Sequence, residues 1–230
     1  MNILKFSDEQ WDQWEHARRG KITGSKAGGL SGTRDPKKKL IGFWELVAER
    51  LGLPPETDET AMERGSRLEA EAIERFAIEN KGVTVDHTKV IWTRDENESI
   101  AISPDASIVG EDANVITEAV EAKCLSSARH IEAYWTKKIP ADYHDQVLQY
   151  FVVNDKLETL HFIFYDPRFA VFAAPVEGGA KLATTADGRS LDYFEITVKR
   201  SEVQAEVEEA IIRERRELAE INEIVNALTF

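Results

Sequence analysis

VITEAVEAKC, residues 115–124, is the stretch on which the fold of this chain turns. Read as a strand, its odd positions share one face: Val115, Thr117, Ala119, Glu121 and Lys123. The even positions, Ile116, Glu118, Val120, Ala122 and Cys124, take the other. Both faces are mostly apolar, which is the pattern of an interior strand. Glu121 and Lys123 are then neighbours on one face, and buried charges are costly unless they are paired or bind a metal. Two readings stand: a structural Glu–Lys pair, or a site that uses both groups.

Working outward, Asp105 follows the apolar run SIAIS (99–103) and Pro104. The run ASIVG–EDAN–VITEAV (106–120) reads as a hairpin that returns the chain to the Glu–Lys pair. The resulting order, Asp105…Glu121-x-Lys123, has a coherent chemistry. Two carboxylates from neighbouring strands supply hard oxygen ligands for Mg²⁺. A lysine one pleat further on can position or deprotonate an attacking water.

Two helical segments add candidates. In AMERGSRLEAEAIERFAIEN (61–80), Met62, Leu68, Ala72, Ile73 and Phe76 mark the apolar stripe, and Glu69 falls on it. Glu69 either pairs with an arginine or joins the acidic group at a metal. Gly65, one turn earlier, leaves room for backbone or substrate. In DYHDQVLQYFVV (142–153), Gln146 and Tyr150 stand one turn apart on one face, as packing residues or as part of the site. His144 reads as a surface or capping residue.

The remaining elements follow from period and punctuation. Helices are expected at 8–18, after Ser25, at 40–52 and at about 58–80. Strands are expected at 83–87, 89–93, 99–103, 106–110, 115–125, 158–166, 169–176 and 191–199. Helices near 126–137 and 142–153 interrupt them, and residues 201–230 form one long helix. Residues 177–190 read as an exposed loop. The expectation is a single domain over 1–230, α/β or α+β. It is mainly helical over 1–80, with a sheet core and helices over 82–200 and a long C-terminal helix. In that last helix Val207, Ile211, Leu218, Ile221, Val225 and Leu228 form a stripe for packing on the body or on another subunit.

Composition bounds the class. The chain has 230 residues, 42% hydrophobic and 31% charged, which suits a globular protein that can bury a core. Its single cysteine, Cys124, excludes an intramolecular disulfide and any cysteine-caged zinc or iron–sulfur centre. No run reaches the ~18 apolar residues of a membrane span, and acids interrupt the N-terminus where a signal peptide is apolar. A soluble, cytoplasmic protein is expected. The net charge is −13, which argues against a nucleic-acid partner. Divided by segment the objection weakens: residues 1–40 hold 9 basic and 5 acidic side chains, whereas 201–230 hold 3 and 8. A DNA-facing surface can be basic while the exterior is acidic.

In order, the chain shows Gly65-x-x-x-Glu69, Asp105, Glu121-x-Lys123 and Gln146-x-x-x-Tyr150. That series resembles the RecB-type branch of the restriction-endonuclease-like nucleases. With RRGKITGS (18–25), SPDA (103–106), EAKC (121–124) and DPRF (166–169), the chain more closely resembles the phage lambda exonuclease family of recombination nucleases. The resemblance runs from about Trp11 to Phe169. It departs from the family pattern at Ala106, where Gly is usual, at Leu125, where Pro is usual, and in a longer hairpin between Asp105 and Glu121.

The resemblance implies a restriction-endonuclease-like central mixed sheet flanked by helices. It implies that Asp105, Glu121 and the Ala122 carbonyl hold Mg²⁺, that Glu69 completes the acidic cluster, and that Lys123 orients the nucleophilic water. Gln146 would help hold Lys123 and the scissile phosphate. Arg18, Thr23, Ser25 and Ser103 fall where the family binds a terminal phosphate, and Met62 falls near its apolar wedge. The implied activity is ATP-independent, two-metal hydrolysis with two Mg²⁺ ions (Mn²⁺ as substitute). It degrades one strand of linear duplex DNA from 5′-phosphorylated ends, 5′→3′, and leaves 3′ single-stranded overhangs. A single-strand annealing protein as partner, a homotrimeric ring and a phage or prophage origin are implied as well. Two other readings compete: a structure-specific or restriction-type endonuclease of the same superfold, and a non-catalytic DNA-recombination interaction protein.

Overall fold

A spacing of four places Trp44 and Ala48 on one side of the first described helix, and both are buried while Ile41 and Glu45 face solvent. This helix is α1 (Ile41–Arg50), and α2 (Ala61–Glu79) follows. The structure is a computed structural model that describes residues 41–50, 61–112, 115–171 and 190–228. The expected helices at 8–18 and after Ser25 lie outside these residues. On α2 the stripe is as the spacing predicts: Leu68, Ala72, Ile73 and Phe76 are buried. Gly82 turns the chain out of α2 with φ +96°, a left-handed conformation that glycine adopts without a Cβ penalty.

Five strands then build the first part of the sheets: β1 (Val85–Asp86), β2 (Trp92–Arg94), β3 (Asn97–Ile102), β4 (Ala106–Ile108) and β5 (Glu118–Lys123). After β5 come α3 (Ser127–Thr136), a 3₁₀ turn (Ala141–Tyr143), α4 (His144–Val153), β6 (Thr159–Tyr165) and the short α5 (Arg168–Val171). The described chain ends with β7 (Tyr193–Lys199) and the long α6 (Arg200–Leu228). The main sheet has the order β1-β4-β5-β6-β7, and β2 and β3 form a separate antiparallel ribbon. Only β5–β6 is parallel, so the sheet is mixed. This is the mixed α/β architecture with a mixed central sheet expected from the sequence.

By packing, the chain divides into two compact units. Among the described residues, one comprises 41–50, 61, Leu125–Thr136, 166–171 and 190–192; the other comprises 62–112, 115–124, Lys137–Tyr165 and 193–228. The first unit gathers Trp44, Ala48, Ala128, Ile131 and Phe169 into a core. Within it the buried Asp166 accepts hydrogen bonds from Ser127 Oγ (2.7 Å) and from Arg168 N (3.0 Å), Nε (2.8 Å) and Nη2 (3.0 Å).

That arrangement corrects one expectation. The alternation FAVFAAPV predicts a strand at 169–176, but Arg168–Val171 is helical. Asp166 accepts the backbone N–H of Arg168, and Pro167 arrives with φ already set for a helix start. A cap and a proline outweigh four residues of alternation. The remaining residues of that segment lie outside those described.

The second unit holds the sheets, α2, α4 and α6. Val120 and Cys124, on the even face of β5, pack with Leu68, Ala72, Ile73 and Phe76 of α2 and with Ile163 of β6. The opposite face of β5 meets α4. The ribbon β2–β3 also lies on α4: Trp92 meets Tyr150 edge to face at 6.3 Å, and Gln149 Nε2 donates to Ala101 O (3.3 Å). Along α6, Val207 of the predicted stripe is buried and Ile211 is half-buried; Ala210, outside that stripe, is buried as well, so this stretch of the helix packs on the protein itself.

His161 of β6 joins three strands. Its Nε2 meets Glu118 of β5 (2.8 Å) and its Nδ1 meets Glu195 of β7 (2.6 Å). Burial works to lower the histidine pKa, but the two carboxylates outweigh burial and raise it. Stability from the charged histidine is therefore complete below its ordinary pKa of 6.5 and is lost as pH rises through the raised value. Urea unfolding of the parent and His161→Gln between pH 5.5 and 8.5 checks this. The stability difference should shrink as pH rises; a difference that grows would contradict it.

Candidate active site

The site is assembled where β4 leaves the Ser103–Pro104 turn and runs beside β5. Pairing in register sets Ala106 opposite Val120. Asp105, one residue before β4, therefore comes level with the end of β5, and its Oδ2 accepts the backbone N–H of Ala122 at 2.8 Å. In a strand, both backbone groups of a residue serve the same edge, so the Ala122 carbonyl leaves β5 on the Asp105 side.

Glu121 is 2% exposed and accepts three side-chain donors. Gln146 Nε2 reaches Oε1 at 2.7 Å, Lys123 Nζ also bonds Oε1, and the Tyr150 hydroxyl bonds Oε2. Helix α4 delivers Gln146 and Tyr150 from adjacent turns, as the four-residue spacing predicts. The Glu–Lys pair is real, and it belongs to a larger constellation rather than to an edge strand: β5 lies between β4 and β6. Gln146 holds the carboxylate rather than the lysine. Tyr150, which the spacing places on the same face as Gln146, is brought to the other carboxylate oxygen; its side chain is fully buried.

Charge crowds this point. Burial raises the Asp105 pKa, and Glu121 raises it further. The Ala122 N–H opposes the rise, Glu69 adds to it and Lys123 opposes it; the result is a pKa pushed up to about 7. Glu69 thus acts on Asp105 through its field, from the partly buried edge of α2. The Tyr150 hydroxyl is pushed up as well, first by burial and then by the Glu121 carboxylate, so it stays a proton donor.

The donor set fits a hard divalent cation in its chemistry: two carboxylates and a backbone carbonyl, all oxygen, with excess negative charge at one point. Among the described residues, no three His, Cys, Asp or Glu side chains stand together in an arrangement that could cage an ion. Glu69 acts on this point through its charge.

The other expected residues are distributed differently. Ser103 donates its hydroxyl proton to Val90 O (2.7 Å), which leaves its oxygen as an acceptor. Arg18, Thr23 and Ser25 lie outside the described residues. Met62 is the second residue of α2, and its side chain lies outside the described residues. A Cβ at Gly65 would meet no atom of the described residues within 4 Å, so none of them requires that glycine. His144 pairs with Glu206 at the surface (2.9 Å). No helix among the described residues is long and apolar enough to cross a membrane.

Comparison with known proteins adds three likenesses in structure. Two are to LHK-Exo, an alkaline exonuclease from Laribacter hongkongensis. The first, of its complex with dAMP, has 23% identity and a TM-score of 0.49, covering 95% of this chain and 100% of that one. The second has 24% identity and a TM-score of 0.48, with the same coverage. The third is to a phage related exonuclease from Haemophilus somnus 129PT, at 14% identity and a TM-score of 0.39, covering 86% of this chain and 87% of that one. No curated protein matches the chain. The family model for the YqaJ-like viral recombinase domain matches residues 13–157, a span that includes Glu69, Asp105, Glu121, Lys123, Gln146 and Tyr150. The chain belongs to the YqaJ-like viral recombinase domain family.

Proposed function

We propose that this protein is a divalent-metal-dependent deoxyribonuclease that degrades one strand of linear duplex DNA from 5′-phosphorylated ends, in the 5′→3′ direction. Phage-type recombination is the setting of its family. The observation that carries the reading is the convergence of Asp105, Glu121 and Lys123 on one buried point, with Glu121 held by Gln146 and Tyr150.

Asp105, Glu121 and the Ala122 carbonyl would hold Mg²⁺, with Mn²⁺ as a substitute and a second ion near Glu69. Bound ions supply Lewis acidity toward the phosphate and a nucleophilic water near neutral pH. The protein's own part is positional. Gln146 and Tyr150 restrict the Glu121 carboxylate to one orientation, and the Ala122 N–H does the same for Asp105. Lys123 presents an ammonium beside Glu121, where it can orient a water or meet a phosphate oxygen.

The rest of the reading is carried by the motif resemblance. Arg18, Thr23, Ser25 and Ser103 would bind the terminal phosphate, and Met62 would part the end base pair. The overhangs would pass to a single-strand annealing protein. A homotrimeric ring, one catalytic domain per chain and action in the host cytoplasm belong to the same proposal.

The test is a digest of linear duplex bearing 5′ phosphate or 5′ hydroxyl, beside covalently closed circles, in Mg²⁺ without ATP. Release of mononucleotides from phosphorylated linear DNA, at least tenfold slower release from the hydroxyl form, and intact circles are expected. Cutting of circles would select an endonuclease instead. Full activity of Lys123→Ala would reject this site, and no digestion under any of these conditions would favour a non-catalytic role.

A further inference from the structure

Lys123 has a second set of neighbours besides Glu121. Its Nζ lies 4.9 Å from the ring centroid of Tyr143 and 6.0 Å from that of Phe162. The two rings are 5.9 Å apart and tilted at 45°. Phe162 is fully buried on β6, in register with Glu121. Tyr143 closes the 3₁₀ turn Ala141–Tyr143 and stands at the N-cap position of α4, where its side chain makes no capping hydrogen bond. Tyr143 precedes Gln146 by one turn, so one short segment delivers a group to the carboxylate and a ring to the ammonium.

We propose that Tyr143 is a positioning residue acting through Lys123: its ring face, with that of Phe162, holds the ammonium in place beside Glu121. This rests on the reading of Lys123 as a working group of the nuclease site. A cation within about 6 Å of an aromatic centroid is attracted by the negative face of the ring. A lysine stem has several free torsions, and a compact ammonium has no planar fork to fix it. The Glu121 carboxylate alone is a poor holder, because Gln146 and Tyr150 already draw on it and a bound divalent cation would draw on it further. An aromatic face attracts the ammonium without offering a ligand to the ion. The ring therefore keeps Lys123 in position when the carboxylate is otherwise engaged, which a second acid could not do without competing for the metal.

Two measurements test this on the full chain. In the first, kcat and KM for 5′-phosphorylated linear duplex are measured at saturating Mg²⁺. Tyr143→Phe keeps the ring and should stay within about twofold of the parent in kcat. Tyr143→Leu should lose roughly tenfold in kcat with KM within about threefold. Tyr143→Met serves the same comparison if the leucine variant does not fold. Equal losses in Tyr143→Phe and Tyr143→Leu would overturn the proposal, since the hydroxyl would then be the active part. A rise in KM alone would overturn it as well, by making Tyr143 a DNA contact.

The second measurement does not need activity. With ¹³C at the lysine ε position, the Lys123 signal, identified by its absence in Lys123→Arg, should lie upfield through the ring current. It should stay there in Tyr143→Phe and on adding Mg²⁺, and should move toward the free-lysine position in Tyr143→Leu. A Lys123 signal unmoved by Tyr143→Leu sinks the proposal even if the protein is a nuclease. An inactive parent protein with the ring-shifted signal sinks the nuclease reading and leaves the packing of Lys123 intact.

Discussion

Asp105→Asn is expected to unfold at a higher temperature than the parent protein at pH 8 in EDTA, and to have lost its nuclease activity. The reason lies in what surrounds this carboxyl. Burial, Glu121 and Glu69 push its pKa up to about 7, against the ordinary 3.8. Between those values the folded protein keeps a proton that the unfolded chain has released, so stability falls as pH rises through that window. Above pH 7 the full cost of a buried carboxylate beside another is present. Asparagine resembles the protonated form and still offers an oxygen to the Ala122 N–H. At about 1.4 kcal/mol per pKa unit, the substitution should return roughly 2–4 kcal/mol at pH 8. For a chain of this length that is on the order of 5–10 °C in Tm.

Activity should move the other way. A metal ion contributes several kcal/mol of charge stabilisation in a hydrolytic transition state. On the proposed function Asp105 holds the ion directly, and its loss should therefore slow digestion by on the order of 10³-fold. Mg²⁺ added at pH 8 should raise the Tm of the parent through binding to the folded state, and should leave Asp105→Asn nearly unmoved. Thermal unfolding with and without EDTA, beside the linear-duplex digest, reads all three. A variant less stable than the parent at pH 8 would show that the Asp105 carboxylate supports the fold and does not strain it.

The second large effect belongs to Arg200, remote in sequence from every residue of the site. Its Nε donates to Leu157 O (2.7 Å), and its Nη2 donates to Phe151 O (2.8 Å) and Asn154 O (2.5 Å). Its guanidinium lies 5.3 Å from the centre of the Phe151 ring. These carbonyls belong to the last turn of α4 and the loop into β6, where a helix end leaves acceptors without intrahelical donors and carries the negative end of its dipole. Arg200→Ala would strip three acceptors at once and is expected to cost about 3–5 kcal/mol. Arg200→Lys should recover less than half of that, because an ammonium cannot present the planar fork that meets three carbonyls. Because α4 also carries Gln146 and Tyr150, the alanine variant should lose activity at temperatures where it is still folded. Urea unfolding of the three proteins measures the cost. A change within 1 kcal/mol for Arg200→Ala would mean that water replaces the arginine at that helix end.

Much of the site was legible because its signals are local. The two-residue period of a strand is set by backbone sterics, so Glu121 and Lys123 had to share a face whatever surrounds them. The helical spacing that pairs Gln146 with Tyr150 has the same origin. So has the stripe Leu68, Ala72, Ile73 and Phe76 on α2. Where a competing local signal existed, as at Asp166-Pro167 before FAVF, capping overruled alternation, and reading the cap first would have found the helix.

By itself, the sequence determined the type of most described elements, with Arg168–Val171 the exception, the interior character of 118–123, and the order of acid, acid and lysine along the chain. Only the tertiary structure decided that Tyr150 and Gln146 both bind Glu121, that Glu69 acts on Asp105 through its charge, that two aromatic rings flank Lys123, and that Arg200 closes α4. Each of these joins residues 20 or more positions apart, and such contacts follow from strand register and helix packing, which no local period encodes. A one-residue slip of β5 against β4 would leave every described helix and strand in place, and would turn Glu121 and Lys123 away from α4.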